Sequence, residues 1–480
     1  MKQFLIISGV ILMIMIPFGI SQDEKPEGIE GIWLGTLKIG AMELRLSYHI
    51  TRNPDGNLSA TMDSIDQGAA GIKMDTVIFI DGTITLEFKA GNAVYVAQLS
   101  KDGETLAGTF TQFGANIELE MKKVDKVPEI LRPQDPKKPY PFIEEEVSYK
   151  NTEDDIVLAG SLTMPKDGGP FPAVILISGS GAQNRDENVF QHKPFLVIAD
   201  HLTRQGIAVL RVDDRGVGGS TGNILETTME GLVRDVLAGI DFLKHRSEID
   251  FQKIGLIGHS EGGIVAPYVA SQNSDIAFIV LMAGTGLTGE EILYLQGEAI
   301  SRAEGESEED IAKNLEIQKM IFKILKTETD NEIIKSKISK FFWDYYENLP
   351  EKEKSVYADS EIYSETQLKN ILSPWFRYFL TYDPKPALSK VKCPVLVLIG
   401  EKDLQVPYKE NLAAIGEALK TGGNTDHTLT SLPGLNHLFQ TAGTGSVSEY
   451  ARIPETFSPE ALNIISKWIL EKIGSNSTDH

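Results

Sequence analysis

Between Gly31 and Lys123 hydrophobic and polar residues alternate with a period of two, as in strands with one buried and one wet face. Met42, Leu44, Leu46, Tyr48 and Ile50 interleave with Glu43, Arg45, Ser47 and His49. Ile84, Leu86 and Phe88 repeat the pattern, as do Ile117, Leu119 and Met121. Turn formers punctuate it at Asn53-Pro54-Asp55-Gly56, Asp81-Gly82, Gly91-Asn92 and Asp102-Gly103. Together these predict about eight short antiparallel strands, enough for a small barrel or a sandwich.

Past residue 142 the rhythm changes. Residues 147–149 and 156–164 predict an opening hairpin. Continuous apolar runs follow at 173–177, 208–212, 254–257, 276–282 and 395–399, the pattern of strands covered on both faces. Helical spacing lies between them, for example over 232–244. This alternation predicts a doubly wound, mostly parallel sheet. Residues 287–380, between the last two runs, are charged, helical in period and free of strands, which predicts a cap inserted above the site. Its aromatics (Phe341, Phe342, Trp343, Tyr345, Tyr346, Trp375, Phe376, Tyr378 and Phe379) form either an apolar underside or the core of a self-packed bundle.

Pro128, Pro133, Pro136, Pro139 and Pro141 mark residues 125–142 as a semi-rigid linker. It separates a β-rich domain at 22–124 from a second domain at 143–480. Residues 1–21 predict an export signal: Lys2, an apolar stretch over 4–16, the breakers Pro17 and Gly19, and small Gly19 and Ser21 before the cleavage point. Cleavage after Ser21 would leave a periplasmic or extracellular chain without a stable membrane span. The rival reading is an uncleaved anchor over 4–20.

Acidic residues outnumber basic ones 68 to 46, a net charge of −22 that repels phosphate backbones and argues against nucleic acid as a partner. Cys393 is the sole cysteine, which excludes an internal disulfide and a Cys-rich metal site. Without His-Glu-x-x-His, zinc-peptidase chemistry has no motif. Gly284-Thr285-Gly286-Leu287-Thr288-Gly289 fits a dinucleotide-binding spacing, but the helical insertion follows where a returning strand and an acidic residue are needed. No cofactor and no metal are expected.

One motif carries chemistry. Gly258-His259-Ser260-Glu261-Gly262 stands between a strand and a helix that begins near Gly263. A serine on so tight a turn needs small neighbours on either side, and the turn lifts its hydroxyl clear of the sheet. A serine is a poor nucleophile without a base and an orienting acid. Asp403 follows the run at 395–399, and His437 lies in the loop after a candidate strand at 427–432, giving the order serine, acid, histidine. Glu401 is the rival acid. His259 lies inside the elbow and His427 opens a strand, while His192, His201 and His245 take a solvated surface role by default. The backbone N–H of Glu261 is the first expected oxyanion donor, and the loop after Ile177 supplies the second, from Ser180 or alternatively Gly181. Arg215 and Asp213 are expected to brace that loop.

With these residues the segment 143–473 resembles the α/β-hydrolases, and within them the bacterial EstD-type esterases and the serine aminopeptidase-like branch. The matching residues are Ser178-Gly179-Ser180-Gly181, Asn184-Arg185-Asp186-Glu187, Asp213-Asp214-Arg215-Gly216-x-Gly218-x-Ser220, Cys393-Pro394 and the three triad positions. The resemblance implies an α/β-hydrolase fold with a helical cap, preceded by a small all-β barrel-like domain, and an acyl-enzyme mechanism without a cofactor. Gly31-Ile32-Trp33-Leu34-Gly35 looks like the start of a calycin-like barrel. The expected function is cleavage of small-molecule carboxylic esters with small or medium acyl chains. Aminopeptidase-like or thioesterase activity is the alternative, and a ligand-binding protein with a vestigial hydrolase the third reading. The sequence leaves the oligomeric state open.

Overall fold

The computed structural model describes residues 28–39, 42–112, 115–128, 132–348, 354 and 365–475, so the expected export signal lies outside the described residues. Nine antiparallel strands come first: β1 (Gly31–Ile39), β2 (Met42–Arg52), β3 (Leu58–Ser64), β4 (Ala69–Lys73), β5 (Thr76–Ile80), β6 (Thr83–Phe88), β7 (Ala93–Leu99), β8 (Thr105–Gln112) and β9 (Ala115–Val124). They form one curled sheet in the order β4-β3-β2-β1-β9-β8-β7-β6-β5. The predicted alternation buries Leu46, Tyr48, Ile50, Ile84, Leu86, Leu119 and Met121 on the concave side, around the fully buried Trp33. Tyr48 and Tyr95 stack there with ring centroids 5.8 Å apart. Among the described residues no ladder joins β4 to β5. The chain crosses that seam in one peptide: the Met74 N–H donates to Ala60 O beside β4, and the Asp75 N–H to Glu87 O beside β5.

The second sheet has eight strands: β10 (Ile143–Asn151), β11 (Ile156–Met164), β12 (Phe171–Ile177), β13 (Ala208–Val212), β14 (Ile249–His259), β15 (Ile279–Met282), β16 (Val395–Gly400) and β17 (His427–Leu432). Their order is β10-β11-β13-β12-β14-β15-β16-β17; β10–β11 and β11–β13 pair antiparallel and the other five ladders run parallel. β12, β15 and β16 are apolar throughout, as is the buried half of β14 from Ile254 to Gly258, because helices cover both faces. On one face pack α2 (Met229–Lys244), α3 (Gly262–Gln272) and, past the short α9 (Lys385–Leu388), α10 (Tyr408–Thr421); on the other pack α1 (Pro194–Arg204) and, past the short α11 (Val447–Tyr450), α12 (Pro459–Ser475).

The insertion between β15 and β16 is helical, as its period predicts. It holds α4 (Gly289–Ala303), α5 (Glu308–Thr327), α6 (Asn331–Glu347), α7 (Glu365–Ile371) and α8 (Pro374–Thr381). Side-chain caps start these helices: Thr288 and Glu291 make a reciprocal capping box on α4, and Ser307, Asp330 and Ser373 accept from first-turn N–H groups of α5, α6 and α8. Its aromatics divide between the two roles expected of them. Phe341 and Phe342 join the cap's own core with Ile321, Ile334 and Ile338, and Trp343 is exposed. Trp375 and Phe379 instead face the second sheet across a cavity, and Phe376 does both.

The proline-rich segment is stapled to the second domain. Gln134 donates to Phe457 O at 2.6 Å and accepts from the N–H groups of Thr456 (2.6 Å) and Phe457 (3.0 Å). The Arg132 guanidinium reaches Phe190 O and Ala451 O, both at 2.9 Å. The β-rich domain touches the same region, through Gln191 to Ile65 O and Arg452 to Glu43 O.

Candidate active site

Ser260 is the first residue past β14, and α3 starts two residues later. Its φ of 52° is left-handed, a conformation that costs a non-glycine residue energy and is held here by neighbouring bonds. The Ser260 N–H donates to Met282 O at 2.8 Å and its carbonyl accepts from the Gly263 N–H at 2.9 Å. The flanking glycines are steric requirements. A Cβ on Gly258 would lie 1.9 Å from Gly262 O, and one on Gly262 would lie 2.1 Å from Ile177 O.

Asp403 and His437 meet at the same edge of the sheet. β16 ends at Gly400 and β17 at Leu432, and the loops beyond bring His437 Nδ1–H to Asp403 Oδ2 at 2.8 Å, with both residues buried. The other Asp403 oxygen accepts from the N–H groups of Gln405 (2.9 Å) and Val406 (2.8 Å), so the carboxylate cannot swing away. Asn436 shapes the histidine loop by accepting from the N–H groups of Leu438 and Gln440. The rival Glu401 points outward and accepts from the Ser431 hydroxyl. Among the described residues no hydrogen bond joins the Ser260 hydroxyl to His437. Such contacts are commonly long without substrate and shorten in the complex.

The loop after β12 passes beside Ser260: a Cβ on Gly179 would lie 3.3 Å from the Ser260 Cβ. Ser180, Ser260 and Glu261 line one cavity of about 140 Å³, walled by Ile264, Ile292 and Leu293 and by the cap aromatics Trp375, Phe376 and Phe379. Gly181 lines a different cavity, with Ser178, Asp214 and Tyr149. Among the described residues neither the Ser180 nor the Glu261 backbone N–H donates to a protein acceptor.

The Glu261 side chain borders both cavities. Burial pushes its carboxyl up to about 7, nearby Asp214 pushes the same way, and a 2.6 Å bond from the Trp375 indole N–H opposes them. Burial likewise pushes Asp214 up to about 7, although it accepts from the Ser178 hydroxyl (2.7 Å) and the Gln183 N–H (2.9 Å).

The brace of this loop differs from the sequence expectation. Arg215 does not touch it. Its guanidinium is held by Asp154, Asp235 and Gly231 O, behind the loop. Asp213 does reach the loop, pairing with Arg185, and the direct brace is Asp214. The Asn184-Arg185-Asp186-Glu187 run is a set of four separate anchors. Asn184 closes the turn on the Asp186 N–H, Arg185 pairs with Asp213 and Glu146, Asp186 with Arg211, and Glu187 with His259.

His192 also departs from expectation. It is fully buried, not solvated, with its ring between Tyr450 O (2.9 Å) and the Thr456 hydroxyl (3.0 Å), because the segment before α1 is covered by the loop that precedes α12. Burial, helped by Arg132, lowers its pKa to about 4, so the ring is neutral. His201 is half-buried on Ser466, His245 is exposed and His427 opens β17. The glycine-rich turn 284–289 has its donors taken by protein: the Thr285 hydroxyl and the Gly286 N–H both bond Asn411 Oδ1.

The sequence profile described as serine aminopeptidase, S33 matches residues 193–441. Esterase EstD of Thermotoga maritima is 23% identical over 433 residues, which cover 90% of this chain and 89% of that protein. An uncharacterized 31.7 kDa protein of Escherichia coli is 24% identical over 229 residues, 47% of this chain and 72% of its own length. Among solved structures, ferulic acid-bound Est1E from Butyrivibrio proteoclasticus is 19% identical and covers 68% of this chain and 98% of its own, with a TM-score of 0.40.

Proposed function

Because the chain belongs to the serine aminopeptidase S33 family of α/β-hydrolases, we propose that it is a serine hydrolase cleaving carboxylic esters of small or medium acyl chains through an acyl-enzyme. The observation that carries this reading is the buried Asp403–His437 pair beside a strained serine elbow. Ser260 Oγ attacks the ester carbonyl as His437 Nε2 takes its proton. The oxyanion forms between the Ser180 and Glu261 N–H groups, which have no protein acceptor among the described residues. As the tetrahedral species collapses, His437 returns the proton to the leaving alcohol. Water then repeats the sequence on the acyl-enzyme. Asp403 fixes the Nδ1–H tautomer of His437 and stabilises its cation.

The cavity of about 140 Å³ sets the acyl size. Ile264, Ile292, Leu293, Val406 and the cap aromatics give it an apolar side that suits an alkyl or small aryl acyl chain, with Thr285, Gln296 and Gln405 also in the lining; thioesters present the same acyl chemistry. The relative named EstD is an esterase by its name and is similar over most of both chains, which supports the same reading. The deciding experiment treats the purified chain with a fluorophosphonate and maps the adduct, alongside turnover of an ester series of rising acyl length. An adduct on Ser260 with an optimum at short or medium chains is expected; no adduct and no turnover would remove the reading.

A second reading is favoured by Glu261, whose carboxyl borders the cavity beside Ser260 and could receive a substrate amine. Aminoacyl amides assayed beside the esters separate the two. Export by residues 1–21 completes the proposal, and N-terminal sequencing of the chain recovered outside the cytoplasm should begin at Gln22.

A further inference from the structure

Glu187 and His259 form a buried pair to which the mechanism above gives no task. Both are nearly inaccessible to solvent. One Glu187 oxygen, Oε1, accepts from the Gly179 N–H at 2.7 Å and from His259 Nδ1 at 2.9 Å. The other ring nitrogen of His259, Nε2, lies 2.9 Å from the backbone carbonyl of His437. A neutral imidazole carries only one N–H, so donating to both acceptors requires the imidazolium. Burial alone disfavours that cation. The Glu187 charge and hydrogen bond, the His437 carbonyl and the Asp403 charge outweigh burial and raise its pKa.

The three bonds link separate parts of the site. Gly179 precedes Ser180, the second oxyanion donor of the proposed mechanism. His259 precedes Ser260, and the carbonyl it holds belongs to the proposed base. The His259 and His437 rings lie 4.8 Å apart. Glu187 makes its contacts from a left-handed backbone, φ 51°, which the four-anchor turn around it maintains. We propose that Glu187 and His259 are positioning residues, an ion pair that holds the oxyanion loop and the His437 loop in register with Ser260. This rests on the serine-hydrolase reading and adds to it the means by which its three loops are aligned.

Misplacing a reacting group by 1 Å can cost about 10²-fold in rate. A pair that only supports the fold would lower stability and leave the folded enzyme's turnover alone, whereas a positioning pair changes kcat with little effect on KM. The test compares wild type, E187A, E187Q and H259N, reading melting temperature, kcat, KM and the rate of fluorophosphonate labelling well below melting. E187A should lose about 10²-fold in kcat and in labelling rate together, with KM changed by less than about threefold. E187Q keeps an amide oxygen for the Gly179 N–H but gives His259 no counter-charge, so it should recover about half of that loss on a logarithmic scale. A folded E187A with wild-type kcat and labelling overturns the proposal, as does a rise in KM at constant kcat. Should E187A not fold, the near-isosteric E187Q and H259N are judged by the same criteria. A wild-type enzyme that takes no label at Ser260 removes the serine-hydrolase reading itself; a labelled wild type with unimpaired variants removes only the positioning role.

Discussion

The indole N–H of Trp375 donates a 2.6 Å hydrogen bond to the carboxyl of Glu261, tying α8, the last helix of the cap, to the residue that follows Ser260. The same helix makes a second tie nearby, from the Tyr378 hydroxyl to Glu230 on α2. The cap is therefore fastened to the sheet domain beside the cavity that Trp375 and Glu261 line.

Trp375 stacks on Phe379, ring centroids 5.7 Å apart, and together they form one wall of the cavity. Trp375→Ala should lengthen the preferred acyl chain by several carbons and lower kcat/KM on acetyl esters by about tenfold, which corresponds to the loss of roughly 1.4 kcal/mol of contact. An ester series assayed on both proteins checks this, and an unshifted optimum would place the acyl chain elsewhere.

Glu261 makes stability depend on pH. Its folded pKa of about 7 lies above the ordinary 4.5, so between those values the native state holds a proton that the unfolded chain has released. Stability from this group is highest below the ordinary value and falls as pH rises through about 7. Asp214, raised from 3.8 to about 7, acts in the same sense. Glu261→Gln has no proton to lose and keeps an oxygen for Trp375. Its melting temperature should fall less than that of wild type from about pH 5 to about pH 8. Parallel curves would show that the carboxyl is already ionised in the native state.

For the proposed triad, Ser260→Ala and His437→Ala should each cost roughly five to six orders of magnitude in turnover, since the residues act as a unit. Asp403→Asn should cost roughly four orders by losing the orienting carboxylate. Glu401→Gln, which keeps an oxygen for the Ser431 hydroxyl, should stay near wild type. Steady-state assays with an active-site titration decide among them. A dead Glu401→Gln would reassign the acid and leave the mechanism intact.

Gln134 should matter to the fold although it lies in the linker. Gln134→Ala leaves the Thr456 and Phe457 N–H groups without their acceptor, which should lower stability by about 1–3 kcal/mol in urea unfolding. A chain beginning at Arg132 keeps these bonds, and one beginning at 143 does not. The longer form should therefore unfold at higher urea, and equal midpoints would make the linker a mere spacer.

The strands could be read from sequence because burial on one or both faces writes itself into local periodicity. Residues 208–212 and 427–432 are strands at the expected limits, and Gly258 to Gly262 turn from strand to helix as their spacing predicts. What could not be read were pairings between distant segments. Glu187 and His259 are 72 residues apart and His259 and the His437 carbonyl 178, and no local pattern distinguishes either partner. His192 looked like a surface residue for the same reason: its cover comes from residues 450 and 456. The cap aromatics divide by helix, with Phe341 and Phe342 on α6 and Trp375 and Phe379 on α8, and composition alone carries no sign of which helix meets the cavity.

The seam in the first sheet restricts how that sheet can deform. At one end its two lips are joined by the single step from Met74 to Asp75, and consecutive Cα atoms stay 3.80 Å apart. At the other end the lips are unequal. The β4 lip begins beside Gly68, which rests against Gln191 of the hydrolase domain, while the β5 lip ends at exposed Ile80. Widening the slit then has to start at the β5 lip and carry β6, which is paired to β7 from Thr83 to Phe88, while the opposite lip rests against the enzyme body.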